Sequence, residues 1–138
     1  MESSSIRLRH TLTRLVVHLV WATGNRHPWL KPEMDPWLAE RIVTMCEAIS
    51  CRAVAVGNGS DHVHVLVAYP PSLSVSCLAH RLKGRTSRVL AYRMPDGFCW
   101  QAGYFAESVD DIARVAAYVH DQRAHHEGSR LPEAWEAG

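Results

Sequence analysis

The 138-residue chain has no apolar run close to the ~20 residues that a membrane span requires. Its longest apolar stretches, Leu15–Val17 and Val63–Ala68 with His64 interrupting it just ahead of Val65, fall far short. It has no C-x-x-C pair: Cys46, Cys51, Cys77 and Cys99 are scattered, and a chain of this size needs no disulfide staples. Cys77-x-x-His80 has no matching second pair, so a structural zinc is not expected. The opening Met-Glu-Ser-Ser-Ser-Ile-Arg lacks the apolar core and cleavage site of a signal peptide. These absences point to a reduced, soluble, cytoplasmic protein with no membrane contact. A glycine-rich phosphate loop and a nucleophile elbow are also missing, which leaves no expectation of a nucleotide cofactor or a serine hydrolase.

Acidic residues are absent from two long stretches. None lies between Ser3 and Pro32, where Arg7, Arg9, Arg14, Arg26 and Lys31 stand, and none between His62 and Pro95, where Arg81, Lys83, Arg85, Arg88 and Arg93 crowd together. A net charge of only +1 therefore hides two basic segments, which suit a polyanion or a merely solvated basic surface.

At 47% apolar and 21% charged, the composition is that of a globular domain. A single domain over 1–138 is expected, with a core over about residues 12–126 and a loose tail over 127–138. Leu12–Trp21 reads as a strand, followed by a turn at Gly24-Asn25. Asp35-Pro36 is a helix start with a side-chain cap, and Leu38, Ile42, Met45 and Ile49 mark its apolar face. Arg52–Val56 and His62–Tyr69 read as a hairpin around Gly57–Ser60. A helix capped by Ser72 or Ser74 runs to about Arg93, with Val75, Leu78, Leu82 and Val89 on one stripe and Arg81, Arg85 and Arg88 on another. Phe98–Ala106 reads as a further strand, and Ser108–Asp111 as the entry to a last helix ending near His126. The fold class that follows is α+β, a ferredoxin-like or RRM-like antiparallel sheet with helices packed on one face and a C-terminal helix carrying Tyr118.

Three groups of residues can do chemistry. Alternation along a strand places His62 and His64 on one face and Val63, Val65 and Val67 on the other, so two imidazoles stand together on an open face. Such a pair suits a divalent transition ion, or is simply two surface histidines. In the last helix Asp111, Arg114, Tyr118, Gln122 and His125 fall in one polar row, opposite Ile112, Val115, Ala116 and Val119. Tyr118 there is either a nucleophile toward phosphorus, given help from a metal or base, or an amphipathic tyrosine at a helix edge. The third group is the basic helix: Arg81, Lys83, Arg85, Ser87 and Arg88 carry the guanidinium, ammonium and hydroxyl groups that bind phosphates, and Trp100, Tyr104 and Phe105 offer stacking faces.

In chain order these blocks resemble the single-tyrosine transposases of the H-U-H class, the IS-two-hundred-like family, which move insertion sequences as single-stranded DNA. The resemblance spans about residues 14 to 126. It rests on His18-Leu-Val-Trp-Ala-Thr23, Arg26-His-Pro-Trp-Leu30, Asp61-His-Val-His-Val-Leu-Val67, Arg81-Leu-Lys-Gly-Arg-Thr-Ser-Arg88, Trp100-Gln-Ala-Gly-Tyr-Phe105 and Tyr118-Val-His-Asp-Gln122. Gly59-Ser60 stands where the family usually has Met-Pro, and Asp121 where it usually has Asn. A related branch linked to repeated palindromes differs after its tyrosine, and Gln122 sets this chain apart from it. The resemblance implies that Tyr118 is the nucleophile and forms a 5′-phosphotyrosine. It also implies that His62, His64 and Gln122 hold Mg²⁺ or Mn²⁺, and that Arg81, Lys83, Arg85, Ser87, Arg88, Arg14 and Arg26 bind DNA. The expected partners are single-stranded DNA with hairpin ends and a second copy of the chain, in a homodimer with composite sites. Two other readings stand beside it: a non-catalytic ferredoxin-like nucleic-acid-binding module, and a metal-dependent hydrolase that forms no covalent adduct.

Overall fold

In the computed structural model, residues 4–94 and 96–123 are described; the expected tail and His125 lie outside them. A small hairpin of β1 (Ile6–Arg7) and β2 (Leu12–Thr13) precedes the main body. The body runs β3 (Val16–Ala22), α1 (Asp35–Ala48), β4 (Arg52–Asn58), β5 (His62–Ala68), α2 (Val75–Arg93), β6 (Phe105–Ser108) and α3 (Ile112–His120). Its sheet has the order β4-β5-β3-β6 with every neighbouring pair antiparallel, which is the ferredoxin-like arrangement.

Strict alternation in the two central strands divides the sheet into two faces. Val17, Leu19 and Trp21 of β3 and Val63, Val65 and Val67 of β5 join Leu38 and Ile42 of α1 and Leu78, Leu82 and Leu90 of α2 in the larger core. Residues of the opposite parity, Val16, Leu66 and Ala68, pack with Val115, Ala116 and Val119 of α3. Two helices thus share one face as expected, and the tyrosine helix covers the other. The imidazole face is therefore not open: His62 is 4% and His64 0% exposed.

Three local expectations change. The first strand is interrupted at Arg14 and Leu15, both exposed, so β2 and β3 are separate. The stretch from Phe98 does not run as a strand to Ala106; after a lone bridge between Thr23 and Trp100 the chain turns at Gly103, whose φ of 87° favours glycine, and β6 begins at Phe105. Asp35 does not cap α1. Its carboxylate is taken by Asn58 and Arg123, while Asp111 caps α3 by accepting from the Arg114 amide at 3.2 Å.

Ser74 caps α2 by accepting from the Cys77 amide at 3.0 Å. Gly84 faces outward with nothing near it, so its cost to the helix is only that of propensity, about 1 kcal/mol. Within the described residues no helix is long and apolar enough to cross a membrane.

Candidate functional site

On the α3 face of the sheet, β3 and β5 bring three imidazoles together. His18 and His64 stack with ring centroids 5.0 Å apart, and His62 meets His64 edge-on at the same distance. Above them stands the Tyr118 ring, 5.6 Å from His64 and 6.2 Å from His18, with the residue 41% exposed. Gln122 lies in the turn after α3, fully buried. Its Nε2 donates to the Tyr118 carbonyl at 3.0 Å, satisfying one of the carbonyls that a helix end leaves unpaired. That turns Oε1 toward His62 Nε2, 3.1 Å away. His62, His64, Tyr118 and Gln122 are thus all gathered in one place.

The surrounding bonds set the rings' chemistry. His62 Nδ1 donates to Asp61 Oδ1 at 2.8 Å, and the other Asp61 oxygen accepts from Arg26 Nε at 3.0 Å. Burial raises the affinity of Asp61 for a proton, but the hydrogen bonds from His62 and Arg26 and their charge outweigh it and hold the carboxyl below its usual range. Across that 3.1 Å His62 Nε2 donates to Gln122 Oε1. The same 3.1 Å is the separation of adjacent ligands on an octahedral ion whose bonds are about 2.1 Å, so a bound ion would take the place of that proton. His18 Nε2 and His64 Nδ1 are 2.8 Å apart, so one ring donates to the other. Burial drives the His18 imidazole down to about 4. Burial, followed by the charges of His62 and His18, drives His64 down to about 2, so both rings are neutral at pH 7. His64 Nε2 is buried with no partner. A buried orphan nitrogen on a neutral ring, held from behind by a second imidazole, fits a metal ligand with its supporting partner. No three His, Cys, Asp or Glu side chains gather around a metal position among the described residues. Two imidazoles and an amide oxygen are a neutral donor set, which suits a weakly held, exchangeable ion.

Glycine makes the cluster possible at two points. A Cβ on Gly57 would overlap the Val119 carbonyl oxygen, so only glycine lets α3 lie this close to β4. A Cβ on Gly59 would stand 2.8 Å from His62 Cε1.

The basic residues are spread differently. Arg81, Arg85 and Arg88 are exposed on α2, in the layer across the sheet from the histidines. Lys83 is committed to the fold: its Nζ donates to the carbonyls of Gln101 and Gly103 at 2.9 and 2.7 Å. Ser87 is half-buried in a cleft with His80, Trp100 and Tyr104. Arg14 is exposed and donates to Ser5 Oγ at 3.4 Å, while Arg26 serves Asp61. Sequence reasoning gave no role to His18 or Arg123. The signal for His18 was a single imidazole inside an apolar strand, two residues from Val16 and from Val20 and so on their face.

Comparisons with known proteins agree with this architecture. A family model described as "Transposase IS200 like" matches residues 11–122. The transposase for insertion sequence element IS200 of Salmonella typhimurium is 26% identical over 123 residues, covering 83% of this chain and 81% of its own, and that of Salmonella typhi matches equally. Among solved structures, a candidate transposase from Deinococcus radiodurans superposes with a TM-score of 0.70 at 24% identity, over 86% of this chain and 98% of its own. A REP-associated tyrosine transposase bound to a REP hairpin gives 0.62 at 13% identity, over 88% and 74%. With its sheet, its helices and most of its length matched in this way, the chain belongs to the IS200-like transposase family.

Proposed function

We propose that the protein cleaves and rejoins single-stranded DNA at the ends of an insertion sequence, with Tyr118 as the nucleophile. The observation that carries this reading is the convergence of the Tyr118 ring, the two H-x-H imidazoles and the Gln122 amide on one face of the sheet. The phenol oxygen attacks phosphorus and loses its proton. The bond from phosphorus to the 3′ oxygen breaks, and that oxygen leaves as a hydroxyl with a proton taken up. One phosphoester replaces another, so a second 3′-hydroxyl can reverse the step and join a new strand without an external energy source. His62, His64 and Gln122 are the residues to hold a divalent ion, Mg²⁺ or Mn²⁺. When bound, it polarises the phosphate and neutralises charge that develops in the transition state. Asp61 and His18 keep the two ligand rings in the right tautomer.

Strand binding falls to the acid-free helix α2 and its neighbours. Between α1 and α2 a groove of about 460 Å³ is lined by Trp37, Arg41, Arg88, Val89, Tyr92 and Arg93. Arg93 already lies 4.3 Å over the Trp37 ring, Tyr92 is 90% exposed, and Arg41 Nε is buried without an acceptor. Aromatic faces beside guanidinium groups suit an unpaired base and its phosphate. Tyr92→Ala is expected to weaken binding of a single strand about tenfold, and Arg88→Ala to lower the salt slope by about one. Fluorescence anisotropy across a salt series checks both, and unchanged affinity in both variants would remove the groove from the DNA path.

The partner DNA is a single strand with hairpin ends, and the working form is a dimer in which α3 of one copy can serve the histidines of either. The reaction is tested by mixing the protein with labelled single strands from the two flanks of its gene and Mn²⁺ or Mg²⁺. A labelled protein band on a denaturing gel is expected. Strands that carry hairpins and bind but give no such band would favour the non-catalytic binding module.

A further inference from the structure

α3 is weakly held for a helix that bears a nucleophile. It has nine residues, and Val119 is its one buried side chain. Directly after it, Gln122 turns inward and Arg123 turns out to the body. Arg123 Nε and Nη2 donate to the two oxygens of Asp35 at 3.0 and 2.7 Å, and Nη2 also donates to the Leu30 carbonyl at 3.0 Å. Asn58 Nδ2 donates to the same carboxylate at 3.0 Å and to the Gly59 carbonyl at 2.9 Å. One half-buried carboxylate at the start of α1 thus ties the end of the tyrosine helix to the turn that leads into His62. Arg123 stands just past the residues the family model matches.

We propose that Arg123 is a positioning residue: its bidentate latch on Asp35 fixes α3 on the sheet of its own chain and keeps Gln122 and Tyr118 in register with the histidines. The planar guanidinium fork meets both carboxylate oxygens while still reaching the Leu30 carbonyl, which an ammonium cannot do. With the latch broken, α3 retains one buried side chain and its small apolar row, and it opens locally while the sheet stays closed. The part of this inference that concerns Gln122 as a metal donor rests on the proposed function; the docking of α3 does not.

Hydrogen exchange on the metal-free protein is the test. In Arg123→Ala and in Asp35→Asn the amides of residues 115–122 are expected to exchange at least tenfold faster, with β3 and β5 unchanged. Arg123→Lys is expected to restore only part of the protection. In parallel, Mn²⁺ affinity measured by calorimetry is expected to fall in Arg123→Ala toward that of Gln122→Ala. Unchanged α3 protection in both variants would overturn the latch, as would faster exchange spread equally over the whole sheet. If Gln122→Ala leaves Mn²⁺ affinity intact, the metal assignment fails while the exchange data still decide the latch.

Discussion

Tyr118→Phe is expected to abolish the covalent protein–DNA adduct, at least about 10³-fold below wild type, while leaving the fold and strand binding in place. The substitution removes one oxygen and nothing else, so no phosphoester to the protein can form. The residue is 41% exposed and its ring meets His18 and His64 by edge contacts, which phenylalanine keeps. The thermal midpoint should therefore stay within about 2 °C, as for other surface changes. The groove proposed for strand binding lies across the sheet, so affinity should hold within about twofold. A labelled band in the variant, on the gel that reveals it in the wild type, would show that another nucleophile or a water does the chemistry.

The second large effect is expected from His64→Ala. Cleavage in Mn²⁺ or Mg²⁺ should drop by about 10³-fold or more, because the buried Nε2 that faces no protein partner is lost as a donor. Unlike Tyr118→Phe, this change also has a structural cost. His18 Nε2 loses its 2.8 Å partner and the stacked ring leaves a void, together about 1–3 kcal/mol. Urea unfolding of the metal-free variant measures that cost, and a native-like baseline at 25 °C licenses the cleavage comparison. Retained cleavage would remove His64 from the metal site. A variant that cleaves normally once its stability is restored by a distant substitution would make its role purely structural.

Much of this architecture can be read from single residues. The alternation Asp61-His-Val-His-Val-Leu-Val67 placed the imidazoles opposite the valines, and the structure has them so. The step pattern of Leu38, Ile42 and Met45 likewise marks the buried face of α1, and of the two serines able to cap α2, Ser72 and Ser74, it is Ser74 that does so. What the sequence does not carry is which side of the sheet a helix chooses. The apolar row Val115, Ala116, Val119 requires a surface to cover, but α3 has either face to cover until the chain connections are drawn. The covered histidine face follows from that choice. Side chains with two possible partners misled in the same way. Asp35 before a proline is a sound cap by local rules, yet a guanidinium from the far end of the chain outbids the helix amides. Lys83 sits in the basic helix but commits its ammonium to two carbonyls. Such competition is decided by tertiary proximity, which no local pattern contains.

The strand order also governs when the site can exist during synthesis. β3 emerges before the other three strands of its sheet, yet its neighbours are β5 and β6, and Val17 pairs with Ser108, far along the described chain. A ribosome that has released β3, α1 and β4 holds a chain whose central strand has no partner on either side. Such non-local pairing is slow and cannot close piecemeal. The tyrosine helix, its glutamine and its latch emerge later still. The nascent chain therefore holds both histidines of the pair before it holds Tyr118, and no partly made protein has the cluster assembled.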